Sequence, residues 1–285
     1  MHVLVTGASG TIGGAVTRAL LRRGDRVTAV VTAADRPIPD GAEPLVDDLF
    51  DPLSLGGVLA GVDAAVHAAS SNDENAAKLD NTVVDVVLRA FTGTSRPLVY
   101  TSGMWLHGDT GDVAATEDSR FAPPAMLAWR PDVERRLADA AEHAHTVRIR
   151  PGLVYGGGHG YIPMVLAPSD GVVRHFGDGG NRWSTVHADD LAQLYALALT
   201  SAPAGSVYLG VNEGSVRVAE VARAIAARHG AEVEPWPREQ AEVHWGMMVD
   251  AFLLDQVATA AHARDQLGWR TSRPGLIEAV TERAA

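Results

Sequence analysis

A glycine-rich turn near the start of the chain constrains the fold more than any other feature. Residues 6–13 read Thr-Gly-Ala-Ser-Gly-Thr-Ile-Gly and directly follow an apolar, β-branched run at residues 2–5. Glycines at this spacing permit a tight turn, close approach of the backbone to a pyrophosphate, and close packing of the following helix on the strand. We therefore predict a dinucleotide-binding βαβ unit whose cofactor contacts are Gly7, Ser9, Gly10, Thr11, Ile12 and Gly13.

Short apolar runs alternate with stretches of helical periodicity, which is typical of a parallel sheet with crossover helices. We predict an α/β fold, a Rossmann-type doubly wound parallel sheet with a small C-terminal substrate-binding cap. Residues 1–150 should form the dinucleotide-binding domain, and residues 151–285 should complete the sheet and form the cap. The expected strands are 2–5, 26–31, 64–67, 97–101, 146–150 and 207–209, and the expected helices are 12–24, 81–90, 125–144, 188–198 and 216–229.

The end of the second expected strand bears on the choice of dinucleotide. An acidic residue there would hold the ribose 2′-hydroxyl of NAD, whereas an arginine suits the 2′-phosphate of NADP. Asp35 and Arg36 follow this strand, and no acid stands directly at its tip. Both side chains could also be solvated loop residues. We favour NADP held by Arg36 and keep NAD, held by Asp35, as the alternative.

Composition excludes several classes of partner. The net charge of −11 opposes binding to nucleic acid or to an anionic membrane, which would favour a basic face. No apolar run approaches the roughly 20 residues that span a bilayer. The chain has no cysteine, and no basic and apolar leader follows Met1. We expect a cytoplasmic protein that acts on a small-molecule substrate and has no metal site.

Several further segments, in this order, resemble one enzyme family. They are residues 47–49 (Asp-Asp-Leu), 66–69 (Val-His-Ala-Ala), 99–103 (Val-Tyr-Thr-Ser-Gly), 150–156 (Arg-Pro-Gly-Leu-Val-Tyr-Gly) and 186–191 (Val-His-Ala-Asp-Asp-Leu). Together with the glycine turn, they resemble the extended short-chain dehydrogenases/reductases, which include nucleotide-sugar epimerases and dehydratases. The resemblance covers nearly the whole chain. It implies cofactor contacts at Asp48, Leu49, Ala68, Ala69, Thr101, Pro151 and Val154, and it matches Asn81 to a helix asparagine of the family.

The family's catalytic pair is absent. In that family a tyrosine exchanges a proton with the substrate, and a lysine four residues later holds the nicotinamide ribose and lowers the tyrosine pKa. None of the five tyrosines in this chain is followed by lysine at that spacing. The resemblance therefore implies an atypical member of the family.

An arginine could replace the missing lysine. If Glu134 is the acid that usually follows this motif, Arg130 takes the lysine position and Met126 the tyrosine position. A shifted alignment would instead place Trp129 on the tyrosine. Arg130 could hold the ribose through its fixed charge but could not donate a proton. The alternative is a surface arginine paired with a helix acid such as Asp132 or Glu134.

Other residues could take part in catalysis. The family's serine aligns with Ser102 or with Gly103, depending on how the loop before Gly108 is counted. His107 lies close to where substrate should meet the nicotinamide and could exchange a proton near neutral pH. His107 could equally be a loop histidine bonded to backbone, and His159 could be part of a mobile glycine loop.

The region beyond residue 150 supplies the expected substrate contacts. Tryptophans here could line an apolar pocket, although core packing would also explain them. Arg182 could meet an anionic substrate. The expected substrate-binding residues are Gly103, Trp105, Tyr155, Arg182 and Trp183, of which Tyr155 could instead pack beside the cofactor pocket.

We expect a homodimer through the helices at 81–90 and 125–144, which correspond to the pair that joins many extended members. Val83, Val84, Val87 and Leu88 are apolar enough to face either the sheet or a partner.

These features predict an NADP-dependent reductase or dehydrogenase that lacks the usual tyrosine and lysine. The proton would come from the substrate, from water or from His107. Imines and activated alkenes would need less help than ketones. The alternatives are a nucleotide-sugar epimerase or dehydratase, and a dinucleotide-binding sensor or scaffold without turnover.

Overall fold

A parallel β-sheet forms the centre of the protein in a computed structural model that describes residues 1–157 and 160–282. The strands are β1 (His2–Thr6), β2 (Arg26–Val31), β3 (Glu43–Val46), β4 (Ala64–His67), β5 (Pro97–Thr101), β6 (His145–Pro151), β7 (Leu153–Tyr155), β8 (Val172–Phe176), β9 (Arg182–His187), β10 (Val207–Gly210), β11 (Ser215–Arg217) and β12 (Glu232–Trp236). The main sheet has seven strands in the order β10-β6-β5-β4-β1-β2-β3. The order reverses between β1 and β4, where open α/β sheets bind ligands at the carboxyl ends of the strands.

Helices cover both faces of this sheet. They are α1 (Thr11–Arg22), α2 (Gly56–Leu59), α3 (Ala76–Phe91), α4 (Arg130–Ala140), α5 (Tyr161–Val165), α6 (Ala188–Ser201), α7 (Val218–His229), α8 (Arg238–Trp245), α9 (Met248–Phe252), α10 (Ala261–Leu267) and α11 (Leu276–Thr281), with 3₁₀ turns at Met104–His107 and Ala125–Leu127. Alternation along β1 shows the two faces: Val3 and Val5 pack in the same core as α1 and α6, and Leu4 packs with α3 and α4. Parallel strands buried on both sides account for the nearly continuous apolar runs in the sequence.

The cap is built from two small sheets and the helices beside them. β9 lies between β11 and β7, and β8 pairs with β12. Their apolar side chains form a separate core with residues of α5, α7 and α9, centred on Phe176 and Phe252. These two rings stack with their centroids 5.0 Å apart.

The predicted fold class is confirmed, and all six expected strands are present. The helix expected at 125–144 is wrong at both ends, because only Arg130–Ala140 is α-helical and Pro131 lies in its first turn. Proline suits that position, since its missing N–H would have no helical partner there. The strand Glu43–Val46 was not expected. It lies at the sheet edge, and its largely exposed side chains give no continuous apolar run.

The pair of helices α3 and α4 was expected to join two subunits. Val83, Val84 and Val87 are buried against the sheet of their own chain. Arg136 of α4 forms an ion pair with Asp85 of α3, so charged groups occupy the outer surface of the pair. The homodimer stays a prediction. Within the residues described, no helix is both long and apolar enough to cross a bilayer.

Candidate active site

The glycine turn lies at the carboxyl end of β1, where two of its glycines have no room for a side chain. Gly7 has a φ of +73°, and a Cβ there would stand 2.5 Å from the carbonyl oxygen of Ala68. A Cβ on Gly13 would stand 2.2 Å from the carbonyl oxygen of Gly7. Glycine at these positions therefore lets the turn lie against β4 and lets α1 pack against the turn.

The start of α1 has the features of an anion site. Gly10 is exposed, and no side chain caps the helix. The amides of Thr11, Ile12 and Gly13 lie in the first turn, where backbone N–H groups lack a helical partner and the helix dipole is positive. A phosphate group would satisfy these amides. The local geometry therefore fits a dinucleotide pyrophosphate, and exposed Ser9 lies beside it.

The residues expected at the adenosine end follow β2 and β3. Arg36 is exposed in a turn closed by its own amide and the Ala33 carbonyl, and its side chain has no ion pair within the described residues. Asp48 is exposed and accepts a hydrogen bond of 2.9 Å from the Phe50 amide. Leu49 is only 4% exposed and belongs to the core, so its side chain does not face a ligand.

β4 and β5 end at the same carboxyl edge of the sheet as the glycine turn, beside the reversal of strand order where such sheets form a ligand crevice. Ala68, Ala69 and Thr101 are half-buried there, and the Thr101 hydroxyl shares a hydrogen bond of 2.7 Å with the Tyr195 hydroxyl. Ser102 is buried, and its hydroxyl has no hydrogen-bond partner among the described residues. Its catalytic role stays a prediction.

Two other expected contacts come from the chain after β5. Pro151 ends β6 and is buried, whereas Val154 in β7 is half-buried.

Arg130 extends from the start of α4 to the carboxyl end of β5. Its side chain is 13% exposed, and its Nη1 donates a 3.1 Å hydrogen bond to the Thr101 carbonyl. Its Nη2 lies 3.8 Å from the Asp80 carboxylate. The Nε is buried without a hydrogen-bond partner among the described residues. A free donor on a fixed cation fits a ribose hydroxyl at this edge of the sheet.

The acids considered as surface partners of Arg130 have other partners. Asp132 pairs with Arg135. Glu134 is 1% exposed and binds both Nε and Nη2 of Arg150, at 2.9 and 3.0 Å. Burial alone would raise the pKa of Glu134, but hydrogen bonds and the charge of Arg150 lower it overall. Arg130 is therefore not the solvated helix arginine of the alternative prediction.

A buried polar network that begins at Asp80 holds the carboxylate next to Arg130 in place. Asp80 of α3 is 1% exposed, accepts a hydrogen bond from the Tyr100 hydroxyl and lies 3.4 Å from the Nε2 of His67. The Nδ1 of His67 shares a 2.7 Å hydrogen bond with the Thr6 hydroxyl. Burial would raise the pKa of Asp80, but the His67 hydrogen bond and the charge of Arg130 lower it overall. The carboxylate therefore stays ionised beside the guanidinium.

The sequence analysis singled out Asn81, as the match to the family's helix asparagine, and missed its neighbour Asp80. Asn81 donates to the Ala77 carbonyl and accepts from Arg136, on the outer side of α3. The helical periodicity could have identified Asp80, because this residue lies on the buried face of α3 with Ala76, Leu79 and Val83. A charged residue on an apolar face indicates a partner buried with it.

His107 has a different role from the expected one. It is 3% exposed, with Nδ1 lying 3.3 Å from the Arg120 carbonyl and Nε2 lying 3.4 Å from Nη1 of Arg150. Burial and the nearby charge of Arg150 lower its pKa to about 4. The imidazole is therefore neutral and enclosed, which does not favour the predicted proton exchange with substrate. His159 lies outside the described residues.

Three of the expected substrate contacts use their polar groups within the chain, so their contact with a substrate stays a prediction. The Tyr155 hydroxyl donates to the Pro274 carbonyl at 2.7 Å. The indole of Trp183 is 2% exposed and donates to the Phe252 carbonyl. Arg182 forms ion pairs with Asp255 and Asp112, at 2.6 and 3.0 Å.

Gly103 and Trp105 remain at the crevice. Both are half-buried, and a Cβ on Gly103 would meet no atom within 4 Å. Sequence reasoning missed Tyr161, whose ring lies 5.6 Å from that of Trp105. The sequence offered little indication of Tyr161, because this tyrosine follows a glycine-rich segment and no other candidate catalytic residue stands at a recognisable spacing from it.

Known proteins share both this sequence pattern and this fold. The profile of the NAD dependent epimerase/dehydratase family matches residues 3–210. An uncharacterised protein of Schizosaccharomyces pombe, C2A9.02, is 30% identical, with 97% of each chain covered. The 2-alkyl-3-oxoalkanoate reductase of Stenotrophomonas maltophilia is 31% identical, over 81% of this chain and 76% of that one.

A solved structure extends the likeness to the fold. The UDP-glucose 4-epimerase of Thermus thermophilus, in complex with NAD, superposes with a TM-score of 0.80 at 23% identity. The superposition covers 99% of this chain and 97% of that chain. The profile match and the full-length relative lead to one conclusion: the chain belongs to the NAD-dependent epimerase/dehydratase family.

Proposed function

We propose that this protein is an NADP-dependent reductase that acts on a small organic carbonyl compound without the usual tyrosine and lysine pair. The observation that carries the proposal is the buried guanidinium of Arg130 at the carboxyl edge of the sheet. Thr101 and Asp80 hold it there, and its Nε has no partner within the described residues. A fixed cation with a free donor supports binding of a nicotinamide ribose.

A reduced nicotinamide would supply the hydride when bound. The chain's own residues would bind and orient it. The amides of Thr11, Ile12 and Gly13 would hold the pyrophosphate, and Arg36 would neutralise the 2′-phosphate. Arg130 would bind the nicotinamide ribose through its free Nε.

The named reductase relative supports a carbonyl substrate. The S. maltophilia protein is a 2-alkyl-3-oxoalkanoate reductase. Compounds with a 3-oxo group are therefore the first substrates to test, with imines and enones as the other classes. Trp105 would contact the apolar part of such a molecule, because it is half-buried and follows the carboxyl end of β5.

A nucleotide-sugar substrate has less support. Arg182 was the residue expected to meet its phosphates, and both of its acidic partners lie in the same chain. A charge already paired in this way has little attraction left for a substrate phosphate. A sensor without turnover is the alternative from another class, and the assay below distinguishes it.

The test begins with NADPH and NADH titrated into the protein, with cofactor fluorescence as the readout. Oxidation of NADPH is then followed with ethyl acetoacetate as the 3-oxo compound, 2-methyl-1-pyrroline as the imine and cyclohexenone as the enone. We expect tighter binding of NADPH than NADH and turnover of the 3-oxo ester. Binding without turnover in any class would favour the sensor and overturn the reductase.

A further inference from the structure

Tyr161 stands apart from the other tyrosines because it is only half-buried and its hydroxyl bonds to an exposed side chain, that of Asn72. Tyr161 is half-buried, whereas the other four are at most 3% exposed. The hydroxyls of these four tyrosines bond to other residues of the chain: Tyr100 to Asp80, Tyr155 to Pro274, Tyr195 to Thr101 and Tyr208 to Gln266. A phenol at a ligand crevice is a group that can exchange a proton.

The position of the Tyr161 ring is fixed from two sides. Its centroid lies 5.6 Å from the ring of Trp105 and 5.7 Å from the ring of Phe252. Its hydroxyl donates a 3.1 Å hydrogen bond to Oδ1 of Asn72. Asn72 follows β4 and Trp105 follows β5, so the phenol lies across the carboxyl edge of the main sheet.

The charge of Arg130 reaches this hydroxyl. Burial raises the pKa of Tyr161, and the positive charge of Arg130 opposes that rise. The phenol therefore carries its proton at neutral pH. The same cation would stabilise the phenolate that remains after the proton has left.

We propose that Tyr161 donates the proton in the reduction proposed above, on which this inference rests. A bound reduced nicotinamide would supply a hydride to the carbonyl carbon of the substrate, and the C=O π electrons would move onto the oxygen. That oxygen takes the proton of the Tyr161 hydroxyl, which leaves a phenolate. A proton from water restores the phenol. The cap thus supplies the acid that is missing from the segment before α4.

Removal of the hydroxyl tests this role. Tyr161→Phe should lower kcat for ethyl acetoacetate by about 100-fold or more, as expected for loss of a general acid, while NADPH affinity stays within about twofold. Tyr208→Phe is the matched control, because its hydroxyl bonds to Gln266 away from the crevice. The control should change neither quantity by more than about twofold.

The phenol itself gives a second readout that needs no cofactor. The tyrosinate absorbance of the wild type minus that of Tyr161→Phe reports the ionisation of Tyr161 alone. Arg130→Met removes the positive charge, so this difference titration should move to higher pH in the Arg130→Met background. A titration that does not move would overturn the coupling between the two residues.

The outcomes separate this inference from the proposed function. A wild type that binds NADPH and reduces no test compound refutes the reductase and, with it, the role of Tyr161. A wild type that turns over while Tyr161→Phe retains its kcat within about twofold refutes only the role of Tyr161. Loss of turnover in Tyr161→Phe, with the Tyr208 control active and the titration shifted, supports both.

Discussion

Gly10 is the exposed glycine of the turn, and its amide neighbours form the proposed pyrophosphate site. A Cβ there would stand 3.3 Å from the Gly7 carbonyl oxygen, so a side chain requires only a small shift. We expect Gly10→Asp to abolish NADPH binding, because a carboxylate at the helix start would occupy the phosphate position and repel the ligand. Cofactor fluorescence measures the affinity, and circular dichroism checks the fold.

The matched control is Gly57→Asp. Gly57 is exposed near the start of the short helix α2, and a Cβ there would meet no atom within 4 Å. The control should bind NADPH as the wild type does. Undiminished affinity in a folded Gly10→Asp variant would contradict the assignment of the turn to the pyrophosphate.

Arg36 decides the choice between the two dinucleotides. If its guanidinium neutralises the 2′-phosphate, Arg36→Ala should weaken NADPH binding by about tenfold or more and leave NADH binding within about twofold. Arg22→Ala, at an exposed position of α1, is the control. Equal changes for both dinucleotides would assign Arg36 to the solvated surface.

Arg130 should hold the ribose in place of the missing lysine. We expect Arg130→Met to weaken binding of NADPH and of NADH alike by about tenfold, because the ribose hydrogen bonds and the fixed charge are lost together. Arg135→Met is the control on the same helix, since Arg135 pairs only with exposed Asp132. Affinity within about twofold of the wild type would mean that Arg130 does not touch the cofactor.

At the scale of elements, a buried carboxylate joins α4 to β6. Glu134 lies between Arg150 and Arg148, with its side chain 1% exposed. Glu134→Gln keeps the shape but leaves two arginines without a buried counter-charge. We expect the free energy of unfolding to fall by about 3–5 kcal/mol, measured by urea denaturation.

Glu142→Gln is the control for this ion pair, because the Glu142 side chain is 83% exposed. It should leave the free energy of unfolding within about 0.5 kcal/mol of the wild type. A similar value for Glu134→Gln would mean that the buried ion pair contributes little to the attachment of α4.

Sequence periodicity predicted the elements whose residues are buried on both faces. The strands β1, β4 and β5 read as continuous apolar runs because helices cover both of their sides. Glu43–Val46 could not be recognised in this way, because an edge strand with exposed side chains needs no apolar pattern. The start of α4 was misplaced because residues 125–129 have helical composition yet form only a 3₁₀ turn before Pro131.

The backbone part of the candidate site was easier to predict than its side chains. Gly7 and Gly13 can be recognised from the motif alone, because close backbone packing requires glycine at both positions. Gly13 packs against Gly7 of the same motif, and Gly7 packs against Ala68 after the neighbouring strand β4. Arg182 and His107 gave no such signal, because the groups that engage them, Asp255 and Arg150, lie 73 and 43 residues away in the chain. Pairing at such a distance depends on the fold.

At the scale of the whole molecule, His107 makes stability depend on pH. Burial and Arg150 lower its pKa from 6.5 to about 4, so the unfolded chain binds its proton first as the pH falls. Stability is therefore intact above pH 6.5 and is lost between pH 6.5 and about 4. Between about pH 7 and about pH 5, we expect the free energy of unfolding to fall by about 2 kcal/mol from this residue alone.

His107→Gln isolates that contribution, because glutamine can still bond to the Arg120 carbonyl but does not titrate. Urea denaturation of both proteins at the two pH values gives the comparison. The loss of stability on acidification should be smaller in the variant by about 2 kcal/mol. Equal losses in both proteins would mean that His107 titrates normally in the folded state.

The path of the chain between sheet and cap determines how a cap could be exchanged between relatives. After β7 to β9 build one part of the cap, α6 and β10 return to the main sheet, and the chain then enters the cap again at β11. It leaves once more, because Ala258, Ala263 and Trp269 pack in the core of the sheet. A cap taken from a relative would therefore have to replace three separate segments, around residues 153–187, 215–254 and 275–282. The segments between these three, which belong to the main sheet and its core, would stay those of the recipient protein.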